Sequence, residues 1–342
     1  MKTISDIAEI AGVSKSTVSR VLNKRPGVNA VVRAKVQALI DETNFTANIA
    51  AKNLKARNSD TIGVIVPLLT SKSVAAMVQG LSEVIETEGM QTLLMNAGMQ
   101  IEKTNNHIKT LNSKGVDGII VFMAGYNQEL LSTLKQSAAP VVIVGQDLSL
   151  HGLTSVFFDD YRSGFIAGSQ LLKLGCKQLM FVGVPQSDVA VGRQRLRGFV
   201  DALDLADVDC RYQTDCDFNL ESGYQQAKLA LSTGYRPDGV FAVTDRLAAG
   251  SIRALREQGL LIGQDVAVIG VGDDELCTVL EPPLASLHYD YQLVGQEAAS
   301  VLIKQLREKP LADVAFSYQG LFTERESYAL KKQPKKQAAK SE

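Results

Sequence analysis

Hydrophobic residues from Thr61 onwards are grouped in short apolar runs that are separated by amphipathic stretches. The runs, such as TIGVIVPLL, VDGIIVFMA and DGVFAVTD, are continuous rather than alternating. Continuous runs are typical of parallel strands that are buried on both faces. The intervening stretches repeat apolar residues every three or four positions, which indicates helices. The pattern therefore predicts an α/β body in which helices cover parallel sheets.

Some of these runs occur in similar pairs. VDGIIVF at 116–122 resembles PDGVFAV at 237–243, and APVVIVG at 139–145 resembles DVAVIGVG at 265–272. The number of runs is also too large for one simple sheet. We therefore predict two similar lobes, each built around a parallel sheet. A ligand is then expected in the cleft between them, at the carboxyl ends of the strands.

The N-terminal segment shows helical periodicity without strand-like runs. A first predicted helix carries on one face Ile4, Ile7, Ala8 and Ala11. Gly12 supplies the positive φ that ends this helix, and Ser14 is placed to cap a second one. The second helix turns inward Val18, Val21 and Leu22. A third helix, from about 30 to 43, has an apolar stripe of Val32, Val36, Leu39 and Ile40. Together they predict a small helix-turn-helix domain.

The outer face of the second helix has the chemistry that suits DNA. Hydroxyl side chains bind phosphate oxygens or base edges, and cations release counterions and bind guanine. The candidates are Ser14, Lys15, Ser16, Thr17, Ser19, Arg20 and Asn23. Lys15 and Ser16 are best placed for base edges, and Ser14, Thr17 and Arg20 for phosphates. The alternative is a solvated polar face on a small helical hairpin.

The net charge of −1 conceals a separation of charge along the chain. Residues 1–57 carry +6, residues 58–330 carry −11, and the tail 331–342 carries +4. A basic head on an acidic body predicts that the head alone meets a polyanion.

Several other classes of protein find little support in the sequence. The four cysteines lack CxxC spacing, so we expect reduced thiols, no metal and no cofactor. The sequence has no GxxxxGK[ST] loop and no GxSxG elbow, and its three scattered histidines form no obvious triad, so we do not expect an enzyme. The absence of a signal core or of an apolar run long enough for a membrane span favours a cytoplasmic protein over a periplasmic sugar-binding protein.

The string AGVSKSTVSRVLN resembles the DNA-reading unit of the LacI/GalR family of bacterial repressors, and the likeness extends over about residues 2–325. The resemblance implies that TANIAAKNLKAR at 46–57 is a hinge helix. In the family this helix forms on DNA, pairs with its dimer mate in the minor groove and wedges a leucine between bases. The matching residues are Asn48, Ala51, Leu54 and Lys55. A plain linker is the alternative.

The resemblance also implies a domain organisation and partners. We expect a helix-turn-helix domain at 1–45, a hinge at 46–58, a two-lobed effector-binding domain at 59–325 and a basic disordered tail at 326–342. The C-terminal segment lacks the leucine heptad that makes some relatives tetrameric, so we expect a homodimer. We expect the dimer to bind double-stranded operator DNA with a pseudo-palindromic sequence.

The effector site is expected in the cleft of the two-lobed domain. The family's pocket arginine lies in an R-x-x-G-[FW] pattern, which RLRGF places at Arg195. Asp188 follows the strand that ends near Val184, so it is expected to face the cleft and to accept hydrogen bonds from sugar hydroxyls. Further candidates at strand ends are Asp245, Asp273, Tyr289 and Tyr291, with helix capping as the alternative for Asp245. We place the two tyrosines on one face of a lobe-crossing strand, with His288 and Asp290 on the other.

The segment GVPQSDVAVGRQR is most similar to the trehalose-responsive members of the family. The effector of those members is a phosphorylated disaccharide, held partly by arginines of the first lobe, whose positions are Leu68 and Gln146 here. Gln146 is a further effector-binding candidate. We therefore expect a repressor of sugar utilisation that responds to trehalose or another disaccharide, with phosphorylation left open. A nucleobase-like effector is the alternative, and a sugar-modifying enzyme is a more distant one.

Overall fold

The structure, a computed structural model, describes residues 3–22, 25–43, 59–204, 206–308 and 315–330. The chain divides into two units between Ser59 and Asp60. Some sequence predictions lie outside the described residues. They concern the tail from residue 331 onwards and the DNA-contact candidates Asn23, Asn48, Ala51, Leu54 and Lys55.

The first unit contains helices α1 (Ile4–Ala11), α2 (Lys15–Leu22) and α3 (Ala30–Glu42). Thr3 and Asp6 form a capping box at the start of α1, and Gly12 ends this helix with φ 69°. The Ser14 hydroxyl accepts a hydrogen bond from Thr17 N at 3.2 Å, which caps α2 as predicted. The buried core consists of Ile7, Ala8, Ala11, Val18, Val21, Val36 and Ile40.

The second unit contains two sheets, which confirm the predicted fold class of two lobes with parallel sheets. The first lobe is built on β1 (Thr61–Val66), β2 (Gln91–Asn96), β3 (Gly118–Phe122), β4 (Val141–Val144), β5 (Thr154–Phe158) and β11 (Ala315–Tyr318). The second is built on β6 (Gln178–Val182), β7 (Asp209–Gln213), β8 (Gly239–Ala242), β9 (Ala267–Gly272), β10 (Ala285–His288) and β12 (Leu321–Thr323). The strand orders are β11-β5-β4-β3-β1-β2 and β12-β10-β9-β8-β6-β7. The pairings are parallel except for that of β12 with β10.

Helices cover both sheets. They are α4 (Lys72–Thr87), α5 (Ile101–Lys114), α6 (Gln128–Lys135), α7 (Asp160–Leu174), α8 (Arg195–Leu203), α9 (Leu220–Ser232), α10 (Asp245–Glu257), α11 (Leu276–Val279) and α12 (Tyr291–Arg307). A 3₁₀ turn covers Ser149–His151, and a π-helical segment covers Val189–Gln194. Helices α4 and α12 pack together on the first lobe, whereas α7 packs on α8 and α9 on α10 in the second.

The chain passes between the lobes at three places: after β5, after β10, and between β11 and β12. Aromatic rings pack where the first two crossings meet. Phe158 stacks on Tyr289 with ring centroids 4.0 Å apart. Gly320, in the third crossing, lies so close that a Cβ there would be 2.9 Å from Tyr289 Cδ1. The three crossings therefore pack against one another at one place between the lobes.

Two sequence predictions are wrong in this part of the fold. Strand β10 ends at His288, Asp290 caps α12 and Tyr291 is the first residue of that helix. Tyr289 and Tyr291 therefore do not alternate along a strand, because the chain changes from strand to helix between them. The tail was also predicted to begin too early. Ser327 and Tyr328 are buried, and the Ser327 hydroxyl donates to the Val268 carbonyl at 2.7 Å.

Candidate functional site

A cavity of about 870 Å³ lies where the strands of both lobes end. Its lining includes residues within two positions of strand ends, such as Pro67, Met123 and Gly145 in the first lobe and Thr244 and Asp273 in the second. This volume is at the upper end of the range for small-molecule sites. The position agrees with the general rule for parallel sheets, in which ligands bind beyond the carboxyl ends of the strands.

Arg195 lies at the start of α8 and lines this cavity, although it is only 5% exposed. Its Nε and Nη2 atoms lie 2.7 and 2.6 Å from Oδ1 of Asp160, the first residue of α7. Nη1 donates to the Val243 carbonyl, and the guanidinium lies 5.3 Å from the centre of the Tyr289 ring. The arginine predicted from the sequence is therefore in the cavity, and it is paired with a carboxylate that the sequence reasoning missed.

Asp188 also lines the cavity and caps the π-helical segment that leads to Arg195. Its Oδ1 accepts a hydrogen bond from Val191 N at 2.8 Å. Burial raises the pKa of Asp188 to about 6, and the negative charge of Asp160 acts in the same direction. A carboxyl with this pKa can accept or donate a hydrogen bond to a ligand near neutral pH.

The two predicted acids that follow strands β8 and β9 both line the cavity. The cap of α10 is Thr244, whose hydroxyl accepts from Leu247 N at 3.3 Å, so capping is not the role of Asp245. Asp245 instead accepts from the Ser286 hydroxyl at 2.6 Å and from Asp274 N at 2.9 Å, and burial raises its pKa. It therefore organises the end of the second sheet.

Asp273 is held by two basic side chains at the same end of the sheet. Its Oδ1 lies 2.6 Å from Arg325 Nη1, and its Oδ2 lies 3.2 Å from His288 Nδ1. Its backbone φ of 57° is in the left-handed region, which is uncommon for a residue with a side chain. Such a conformation persists where the surroundings hold it, as these two contacts do.

Tyr289 and Tyr291 lie together at the crossings between the lobes and line the cavity. The Tyr289 hydroxyl lies 2.6 Å from the Ser163 hydroxyl and donates to Asp160 Oδ1 at 3.3 Å. Tyr291 meets the Tyr289 ring edge-on, with centroids 5.8 Å apart. Tyr289 is nearly fully buried and belongs to the Arg195–Asp160 network, whereas Tyr291 is partly exposed.

Gln146 does not join the other candidates. It is buried, its Nε2 donates to the Ala124 carbonyl at 2.6 Å, and it is not among the residues that line the cavity. Leu68 does line the cavity. Gln146 is kept out of the cavity by the sharp turn after β4. Gly145 has φ 92° there, and the Gln146 side chain that follows is turned into the first lobe.

The described lining of the cavity is rich in acids. Seven carboxylates face three lysine or arginine side chains, and the acids are Asp160, Asp188, Asp245, Asp273, Asp274, Glu275 and Asp290. Lys72 lies 3.0 Å from Asp274 Oδ1 and also contacts Glu275, which links the two lobes across the cavity. Asp160, Lys72 and the ring of Phe218 were not predicted. These residues are far apart in the sequence, so only the tertiary structure reveals that they line the same cavity.

The helix-turn-helix unit presents most of its DNA-contact candidates at the start of α2. Ser14, Lys15, Ser16 and Arg20 are exposed, and Thr17 and Ser19 are half-buried. The Ser14 hydroxyl lies 2.7 Å from that of Ser16 and 2.9 Å from that of Thr17. Hydroxyls gathered at a helix N-terminus whose first turn has no acid suit contact with phosphate. Ser19 and Arg20 lie further along the same helix.

A helix-turn-helix unit followed by a two-lobed ligand-binding unit defines a class of protein, the ligand-responsive DNA-binding regulators. Residues 3–48 match the description "Bacterial regulatory proteins, lacI family", and residues 169–327 match "Periplasmic binding protein-like domain". The transcriptional repressor PurR of Pectobacterium carotovorum subsp. carotovorum is 31% identical over 314 residues, which cover 90% of this chain and 92% of the relative. The chain belongs to the LacI family.

Solved structures show the same fold. The lac repressor dimer bound to operator and the anti-inducer ONPF matches with a TM-score of 0.86 and 25% identity, over 96% of this chain and 99% of that one. A complex of the transcriptional regulator CelR with cellobiose matches with a TM-score of 0.71 and 26% identity, over 96% of this chain and 100% of that one.

Membership of this family confirms that the chain is a DNA-binding transcriptional repressor with an effector-binding domain and that it is not an enzyme. The predicted special likeness to trehalose-responsive members finds no support, because strong matches carry the name PurR. None of the described helices is long and apolar enough to cross a bilayer.

Proposed function

We propose that this protein is a homodimeric repressor of sugar-utilisation genes whose affinity for a pseudo-palindromic operator is changed by an unphosphorylated sugar. The observation that supports this function is the composition of the cavity, in which seven carboxylates and a buried arginine line a space of about 870 Å³. Carboxylates accept hydrogen bonds from hydroxyl groups, and arginine donates them in a fixed geometry. A polyhydroxylated ligand uses both.

The absence of a phosphate on the ligand is supported by the charge and geometry of the first lobe. Leu68 is apolar and Gln146 is turned away from the cavity, so neither supplies a cation there. Each charge-assisted hydrogen bond to a phosphate contributes roughly 1.5–3 kcal/mol, which neutral side chains at positions 68 and 146 do not provide. The cellobiose complex of CelR supports a disaccharide in this fold. Trehalose remains our first candidate because of the segment GVPQSDVAVGRQR.

A nucleobase-like effector is the second candidate, and two observations favour it. Strong matches to this chain carry the name PurR. The ring of Phe218 lines the cavity, together with those of Phe158 and Tyr291, and a flat base stacks on such rings. We prefer the sugar because a neutral base has fewer donors to satisfy the many carboxylates.

On the DNA side, we propose that two copies of α2 enter successive major grooves, with Lys15 and Ser16 at base edges and Ser14, Thr17 and Arg20 at phosphates. Ser19 and Asn23 complete this surface. The hinge at 46–58 then places Asn48, Ala51, Leu54 and Lys55 at the minor groove. The lac repressor dimer on its operator supports a dimeric assembly. A repressor works beside the chromosome, so we place the protein in the bacterial cytoplasm.

The test is operator binding by the full chain, titrated with sugars, their 6-phosphates and nucleobases. Operator affinity is expected to fall by tenfold or more with one unphosphorylated sugar, since allosteric coupling typically amounts to about 1–3 kcal/mol. If only a nucleobase changed the affinity, the sugar assignment would be wrong and the second candidate would replace it.

Arg195→Ala tests whether the cavity is the effector site. The variant is expected to lose the effector response and to keep operator binding. The matched control is Arg197→Ala, because Arg197 is exposed on the same helix and pairs loosely with Asp201 at 3.8 Å. Circular dichroism checks that both variants fold. Loss of operator binding by a folded Arg195→Ala variant would show that the arginine is structural.

A further inference from the structure

The charge of Arg195 is cancelled inside the cavity. Asp160 is only 6% exposed, and its Oδ1 lies within 2.7 Å of both Nε and Nη2 of the arginine. Asp160 is also the first residue of α7, where the N-terminal end of the helix dipole favours a negative charge. The Tyr289 hydroxyl adds a third hydrogen bond to the same carboxylate oxygen. These contacts therefore hold Arg195 and Asp160 in one arrangement.

The arginine nevertheless keeps some capacity to donate hydrogen bonds. A guanidinium has five N–H groups. Two of them face Asp160 and one faces the Val243 carbonyl, so that each Nη atom retains one N–H. A sugar hydroxyl needs a donor of this kind but no net charge. A phosphate needs net positive charge to offset its own desolvation.

Two other described cations line the cavity. Lys72 is held by Asp274 and Glu275 at the opposite lobe, and Arg246 is an exposed side chain. Asp188 lies close enough to Arg195 for the positive charge of the arginine to act on its pKa. It adds a further acid at this end of the cavity. A phosphate bound beside Arg195 would therefore lie among carboxylates.

We propose that Asp160 is a specificity-determining residue, which excludes phosphorylated sugars by neutralising Arg195 while leaving its outer N–H groups to bind hydroxyls. This inference rests on the proposed function, because it assigns a reason for the preference for an unphosphorylated ligand. Replacement of Asp160 by asparagine keeps the acceptor oxygen for the guanidinium and removes the negative charge. The variant should then acquire an anion site at Arg195.

The experiment is calorimetric titration of the full-length wild type and Asp160→Asn with inorganic phosphate, then with trehalose and trehalose 6-phosphate. The variant is expected to bind inorganic phosphate at least about tenfold more tightly than the wild type, since one charge-assisted contact is gained. The ratio of affinities for trehalose 6-phosphate and trehalose is expected to rise by a similar factor. Phosphate should also raise the unfolding temperature of the variant.

The matched control is Asp188→Asn, which removes a carboxylate from the same end of the cavity without freeing Arg195. An equal gain of phosphate affinity in both variants would overturn the proposal, because overall charge rather than the Arg195–Asp160 pair would then exclude the anion. No gain in a folded Asp160→Asn variant would also overturn it. If that variant does not fold, Asp160→Ser, which leaves room for water beside the guanidinium, carries the same expectation.

The two proposals fail in different measurements. Phosphate binding by the Asp160 variant does not depend on which effector the wild type recognises. A wild type whose operator affinity responds to no sugar would contradict the proposed function, whatever the phosphate titration shows. A wild type that responds to a sugar, combined with an Asp160 variant that gains no phosphate affinity, would contradict only the role of Asp160.

Discussion

Replacing Gly164 by alanine tests how helix packing holds the buried arginine. Gly164 lies where α7 crosses α8. A Cβ there would lie 2.8 Å from the carbonyl carbon of Arg195, 2.9 Å from the amide nitrogen of Phe199 and closer still to the Arg195 carbonyl oxygen. These neighbours are backbone atoms, so no side-chain rotation relieves the overlap. The two helices must separate by a distance on the order of 1 Å.

The cost of this separation has two parts. Overpacking of a core typically costs about 1–3 kcal/mol, and a backbone obstruction lies at the upper end of that range. The separation also lengthens the contact between Arg195 Nη2 and Asp160 Oδ1, which is 2.6 Å in the wild type. Weakening a buried charged hydrogen bond adds roughly 1–2 kcal/mol. We therefore expect Gly164→Ala to lower the free energy of unfolding of the effector-binding unit by about 3–5 kcal/mol.

Urea unfolding followed by far-ultraviolet circular dichroism measures this loss, with the dependence of the unfolding free energy on urea expected to stay unchanged. Effector titration of the operator complex should show a weaker response in the same variant. Arg162→Ala is the control, because Arg162 is exposed on the same helix and a surface substitution changes stability by no more than about 0.5 kcal/mol. A loss below about 1 kcal/mol with an intact response would refute the idea that close helix packing positions the arginine.

Two further predictions concern the protonation of Asp188 and the hinge helix predicted at 46–57. The pKa of Asp188 is about 6 in the folded protein and 3.8 for an ordinary Asp, so the folded state binds this proton more tightly. Lowering the pH from 7.5 to 4.5 should therefore stabilise the wild type relative to Asp188→Asn by about 2 kcal/mol. Thermal unfolding at both pH values measures this difference, and equal pH dependence in the two proteins would contradict the burial argument. Leu54, outside the described residues, is predicted from the sequence to wedge between bases. Leu54→Ala should weaken operator binding by about tenfold or more and reduce DNA bending in a gel-shift phasing assay, and unchanged bending would rule out the wedge.

The strands and helices were predictable from the sequence because their periodicities are local. A continuous apolar run such as VDGIIVF has few alternatives to a strand buried on both faces. The helix-turn-helix was predictable for the same reason, since Gly12 and Ser14 act on their immediate neighbours. The strand-to-helix change at Tyr289 was not predictable from alternation, because a four-residue segment such as HYDY fits either structure.

The site was only partly predictable, since it depends on contacts between distant residues. Arg195 was found through the RLRGF pattern. Its partner Asp160 precedes it by 35 positions and reads in sequence as one of two acids that cap a helix. Gln146 follows a strand, as the other candidates do, but the turn at Gly145 points it away from the cavity. Which side chains after a strand enter a cleft is decided by φ and ψ at one or two residues, and these are not visible in the sequence.

The three crossings between the lobes also set the order in which the protein becomes functional during synthesis. The first sheet needs β11, which pairs with β5, and the second needs β12, which pairs with β10. Both strands follow residue 314, so the two sheets are completed only when nearly all of the described chain has left the ribosome. The buried core of the three helices in the first unit is formed by residues between Ile7 and Ile40. A nascent repressor thus has a finished DNA-reading unit before it has an effector site, and control by the ligand is the last property that the chain acquires.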